Sequence, residues 1–166
     1  MAACGSRVLL AERGIGVNTL YVLDVSAEHT VRHTGNVLLH IAINGLACTR
    51  RENDTLVALS NRTSVSLQRL PSESDTLRLE PVDTSVGINA PHHLIFCGEL
   101  LLVADWKTSN ERHAIFSLRA TNDGLTQWQV LFDAHNSVDF SDWAIADNRL
   151  VLFDRDCGCL RVYFFE

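Results

Sequence analysis

ELLLVADWKTSNERHAIFSL, residues 99–118, is two short apolar runs on either side of a polar loop, with an acid, Asp105, closing the first run. Apolar runs of strand length, bounded by residues that turn easily, read as a two-stranded hairpin. The same plan occurs at three other places in the chain. First runs begin at Leu9 (LLAE), Leu56 (LVAL), Leu102 (LVAD) and Val151 (VLFD), spaced 47, 46 and 49 positions apart. Second runs follow at 20–23 (LYVL), 65–67 (VSL), 114–118 (AIFSL) and 160–164 (LRVYF). A fixed period of this size marks an architecture in which each repeat is one supersecondary unit.

Two more strands extend the unit. Residues 43–48 (INGLAC), 93–97 (HLIFC) and 142–146 (DWAIA) precede the hairpins, across polar turns at 51–54 (REND), 97–99 (CGE) and 147–149 (DNR). Asn, Asp and Gly suit those turns because they tolerate tight backbone reversals. Residues 76–80 (TLRLE) and 127–132 (QWQVLF) follow the hairpins and alternate with the period of two of a half-buried strand. No segment carries a helical apolar stripe with a cap and a stop, so no crossover helix is available for a parallel sheet. The expected fold is all-β: a β-propeller of about four four-stranded antiparallel meander blades, in one domain with units at 1–40, 41–88, 89–138 and 139–166. The amino end is expected to open with the second strand of a unit and the carboxyl end to stop after a third, leaving an open or partial ring.

The segments PHHLIFCGELLLVADWKTSNERHAIFSL and SDWAIADNRLVLFDRDCGCLRVYFF carry a further likeness. A strand ending in Val-Ala-Asp turns into one ending in an aromatic, which resembles the blades of NHL-type or gluconolactonase-like propellers. The resemblance implies a ring of about six blades, more chain than four units supply. It also implies, for the lactonase branch, a divalent cation held at the channel by Glu, Asn and Asp from separate blades. Glu12 stands in a comparable place, and no matching Asn and Asp set aligns with it.

Composition narrows the function. The 166 residues are 46% apolar, which at this length builds a real core. The formal charge of −6 and the lack of a basic cluster exclude the electrostatic footprint of a nucleic-acid binder. No apolar run is long enough for a membrane-spanning helix. An amino terminus without the order of a signal peptide gives a cytoplasmic expectation, and five cysteines, an odd number without zinc-type pairs, read as reduced thiols.

Candidate chemistry meets a simpler reading at each point. Glu12, Asp105 and Asp154, with Ser60 in the fourth copy, close the first runs. They suit either a ring of oxygen ligands for a cation or, better matched to a repeated structural need, acceptors for turn amides. Asp154-Arg155-Asp156-Cys157-Gly158 begins like a calcium loop but lacks its later ligands, and Cys157-Gly-Cys159 lacks redox-motif spacing. Gly14-Ile15-Gly16 lacks the third glycine and the helix of a dinucleotide site. His92 and His93, adjacent in a strand, are expected on opposite faces. Trp128 and Trp143 are expected in the core. No catalytic residue, metal ligand or cofactor is assigned, and a non-enzymatic role ranks above an enzymatic one.

The leading expectation is a non-catalytic protein-interaction or scaffold module that binds a protein partner through blade-end loops 13–19, 61–64, 106–112 and 155–159. Its site is Trp106, Lys107, Asn110, Arg112 and Arg155. Self-association through open sheet edges is a second expectation on partners. The alternatives are a divalent-metal-dependent lactonase-like hydrolase and a fragment of a larger propeller without independent activity.

Overall fold

The computed structural model describes every residue except 13, 15, 16, 53, 72–76, 89, 106–113, 134–139, 147, 148, 165 and 166. Among the described residues the regular elements are strands, in four sheets, each a meander in chain order. The first holds β1 (Ala2–Cys4), β2 (Arg7–Glu12), β3 (Asn18–Val25) and β4 (Val31–Leu39). The second holds β5 (Gly45–Arg51), β6 (Asp54–Ser60), β7 (Ser64–Pro71) and β8 (Glu80–Gly87). The third holds β9 (Pro91–Cys97), β10 (Leu100–Asp105), β11 (Ala114–Thr121) and β12 (Gly124–Asp133). The fourth holds β13 (Phe140–Ala146), β14 (Arg149–Asp154) and β15 (Cys159–Phe164). All pairings are antiparallel. No described helix is long and apolar enough to cross a membrane.

The all-β expectation and the meander hold, with three corrections. The chain opens with a first strand, β1, and not with a second one. The outer strand β4 has no counterpart in the sequence reading. In the second sheet the outer strand is β8, while the alternating residues Leu77 and Leu79 lie before it and pack on the apolar core instead.

Turns between first and second strands are tight because their backbone allows it. Gly5 and Gly98 both sit at φ 59°, the left-handed conformation that two-residue hairpins require and glycine adopts without cost to a side chain.

Strand alternation sends successive residues to opposite faces, and the two inner sheets use both. In β6, Leu56 and Ala58 face the third sheet while Val57 and Leu59 face the first. In β10, Leu101 and Val103 face the second sheet while Leu102 and Ala104 face the fourth. Three apolar cores result, one per seam, and each joins consecutive sheets. The first strands of neighbouring sheets lie alongside each other: β1 by β5, β5 by β9 and β9 by β13. Comparable packing between the fourth sheet and the first is absent among the described residues.

Among the described residues, nothing packs on one face of each end sheet. In β14, Leu150 and Leu152 are buried while Phe153 is 40% exposed. Phe153 pairs with Leu160 and Val151 with Val162, so this face carries an apolar row in which Leu160 is 67% and Phe164 70% exposed. On the first sheet the free face bears Val8, Leu10 and Leu23, with Val31 and Leu38 exposed beside them.

Candidate functional site

A meander places its loops by arithmetic. In each sheet the second strand ends and the third begins at the same end of the stack, and the described fourth strands also finish there. Turns between first and second strands, and between third and fourth, lie at the opposite end. The strand ends that bound the four expected binding loops therefore lie at one end of the stack.

At this end the first two sheets frame a cleft of about 350 Å³ lined by Gly14, Asn18, His40, Asn44 and Arg62, among others. Its frame is fixed locally. Asn61 Oδ1 accepts from the amides of Thr63 at 2.8 Å and Ser64 at 2.9 Å, a side-chain turn that sets the β6–β7 loop and projects the exposed Arg62. The amides of Ile88 and Ala90 donate to the carbonyls of Thr63 and Arg62, tying the next connection to the same loop. Across the cleft, Asn18 Nδ2 donates to the Ile41 carbonyl, and the Asn44 amide donates to the Ser60 carbonyl at 2.8 Å. Exposed Arg62 and His40 are left pointing polar groups toward solvent over a braced backbone.

Two of the acids that close the first runs, Asp154 and Glu12, are engaged by other groups of the chain. Asp154 is fully buried: its Oδ1 accepts from the Asp156 amide at 2.9 Å, and Arg161 Nη2 lies 2.6 Å from its Oδ2. That ion pair also raises the Arg161 pKa. Asp105 is 2% exposed where β10 ends. Glu12 Oε2 accepts from the Tyr21 hydroxyl at 2.6 Å, which pushes the phenol's pKa up by disfavouring a second negative charge. Where Ser60 replaces the acid, Asn61 takes over the turn. Among the described residues, the metal-type grouping is Asp154 with Cys157 and Cys159 rather than a ring drawn from separate sheets.

Cys157 and Cys159 are joined as a disulfide, which corrects the expectation of reduced thiols throughout; Cys4, Cys48 and Cys97 are free. Gly158 at φ 63° turns the chain so that the two Cα atoms stand 5.3 Å apart, inside the span a disulfide bridges. His92 and His93 also depart from expectation, with ring centroids 4.9 Å apart. A β-bulge between Ala104 and Asp105 shifts the register of β9 at this point and breaks the strict alternation.

Of the expected site residues, Trp106, Lys107, Asn110 and Arg112 lie outside the described residues. Arg155 is exposed in the β14–β15 loop, at the end of the stack that holds the cleft. Trp143 is 6% exposed in the third seam, as expected of a core residue. His40, Asn44 and Arg62 escaped the sequence reading. The one available signal was His40 itself, a polar residue interrupting the apolar run 37–43. No protein-family model matches the chain, and no curated protein matches it significantly.

Proposed function

We propose that the chain is a non-catalytic interaction module that presents the loop end of a blade-like stack to a protein partner. The observation that carries this reading is the braced cleft, which gathers Asn18, His40, Asn44 and Arg62 from separate segments at the end where all second-to-third-strand loops emerge. These side chains offer donors to the carbonyl and carboxylate oxygens of an extended peptide, on a scaffold ordered before binding. Trp106, Lys107, Asn110, Arg112 and Arg155 belong to the same reading as loop contacts. So does the likeness to NHL-type propellers, whose blades share this plan. A cytoplasmic setting belongs to the same reading and rests on three of the five cysteines, Cys4, Cys48 and Cys97, being free, against the one disulfide of Cys157 and Cys159. The lactonase-like alternative needs oxygen ligands converging from several blades, whereas Asp154 is already engaged by a turn amide and an arginine.

Affinity capture with two variants tests the assignment. Trp106→Ala with Lys107→Ala and Arg62→Ala alters the loop end; Glu28→Ala with Asp123→Ala alters exposed turns at the opposite end. Proteins bound by the unaltered chain should be lost from the first variant and kept by the second. The reverse pattern, or retention by both, sinks the assignment.

The same reading includes self-association, through faces rather than edges. Val151 and Phe153 stand at the repeat positions of Leu9 and Ala11, Leu56 and Ala58, and Leu102 and Ala104, each of which faces the following sheet. The free face of the fourth sheet thus continues an interface made three times within the chain, and the free face of the first sheet is its complement. A second copy supplies that complement, and two copies would close a ring of eight sheets, at the upper end of common propeller sizes. In sedimentation, the unaltered chain is expected to be a dimer and Leu160→Glu with Phe153→Glu a folded monomer. A chain that stays monomeric at every concentration refutes the stacking.

A further inference from the structure

The far end of the first seam carries a second cavity, of about 200 Å³, lined by Cys4, Ser6, Arg7, Asp24, Arg50 and Thr55. Register explains why these groups meet. Cys4 pairs with Arg7 on the face of the first sheet that holds Leu9, and Arg7 pairs with Asp24. On the second sheet, Cys48 pairs with Val57 and Arg50 with Thr55 on the face turned toward the first. β1 and β5 lie alongside each other, so a half-buried thiol on one strand faces a buried thiol on the other. Arg7 is bonded to Asp24 at 3.2 Å, whereas Arg50 is exposed and makes no ion pair among the described residues.

We propose that Cys4 and Cys48 form a thiol–disulfide exchange site for a small anionic disulfide, with Cys4 as the attacking sulfur and Cys48 as the resolving one. The cavity gives such a molecule access to Cys4, and Arg50 supplies the charge that draws its carboxylates. In the first step the Cys4 thiolate attacks one sulfur of the incoming disulfide. That disulfide bond breaks, one small thiolate leaves, and a mixed disulfide remains on Cys4. Cys48 then gives up its proton to solvent, and its sulfur attacks the Cys4 sulfur, releasing the second small thiolate. In sum, two protein thiols lose two electrons and one small disulfide becomes two thiols.

The electrostatics fit that order. The hydrogen bond from Cys48, aided by one from Thr55 and then by the charges of Arg7 and Arg50, outweighs burial and holds the Cys4 pKa at about 7, against an ordinary 9.0. Cys48 is pushed up, first by its hydrogen bond to Cys4, then by burial and by the Cys4 charge. Once Cys4 is a mixed disulfide its negative charge is gone, so two of those three causes lapse at the moment Cys48 must ionise. The depressed Cys4 value favours the thiolate above pH 7, and attack should slow as pH falls through about 7. The exchange would staple β1 to β5 at the end of the stack opposite the cleft, so it stands or falls independently of partner binding.

Oxidised glutathione is a suitable probe, with peptide mapping by mass spectrometry. The unaltered chain is expected to yield a Cys4–Cys48 bridge with no adduct left on Cys4, reversed by dithiothreitol, with half-maximal rate near pH 7. Cys48→Ser should stop after the first step and retain glutathione on Cys4. Cys4→Ser should leave Cys48 unmodified, and Arg50→Gln should slow the first step several-fold. The bridged chain should also melt at a higher temperature than the reduced chain. Modification confined to the exposed Cys97, or a Cys4 adduct that persists when Cys48 is present, overturns the proposal.

Discussion

Leu101→Ala should lower stability by about 2–5 kcal/mol, whereas Leu100→Ala, one residue earlier in the same strand, should cost well under 1 kcal/mol. Leu101 is fully buried in the seam between the second and third sheets, with Leu118 as its cross-strand partner. Truncating it removes the transfer energy of the lost carbons and leaves a cavity that two stiff sheets close only in part. Leu100 is 41% exposed at the start of β10. Its removal returns little surface to water and opens no void. Equilibrium unfolding of both variants in urea gives the comparison directly. Similar losses at the two positions would mean that Leu100, at the exposed start of β10, is packed as closely as Leu101 within the seam.

Gly45→Ala should lower stability by about 1–3 kcal/mol, as overpacking does. A Cβ at this position would lie 2.5 Å from the His92 carbonyl oxygen and 2.6 Å from Ser60 Oγ. The first contact decides the outcome. A side chain can rotate away, but the His92 carbonyl is backbone of β9, the strand that lies beside β5, so relief requires the second and third sheets to separate. Combining Gly45→Ala with Ser60→Ala should therefore recover little of the loss. A thermal melt in which the double variant returns to the stability of Ser60→Ala alone would show that the hydroxyl, and not the sheet approach, makes Gly45 necessary.

The hairpins of the stack were legible because their strands are buried and apolar. LLLVAD in β10 and LVALS within β6 fill seams on both faces, so their hydrophobic runs are continuous. Strands at the margins left weaker traces. VRHTGNVLL in β4 is exposed along most of its length and sends only Val37 and Leu39, at its end, into the first seam, and AAC in β1 has three residues. The alternation of Leu77 and Leu79 was real but belonged to a connecting segment that covers the first seam, with Leu77 packed over Gly35. Apolar periodicity reports burial, and here burial came without a strand ladder. The candidate cleft was less accessible still. His40, Asn44 and Arg62 come from connections whose residues show no pattern of their own, and only the common exit of the loops brings them together. The pairing of Cys4 with Cys48 likewise depends on register across a seam, which no spacing between the two cysteines encodes.

The two-faced inner strands have a consequence for how changes combine. Leu101 and Leu102 share a peptide bond but belong to different seams, while Leu101 shares one with Leu56, far away along the chain. Covalent neighbours are thus energetic strangers, and residues about one repeat apart are partners. Substitutions at adjacent positions of β10 or β6 should add nearly independently, and substitutions a repeat apart should interfere. Sequence drift along such a chain would then leave its mark as paired changes at the repeat distance, one set of compensations for each seam.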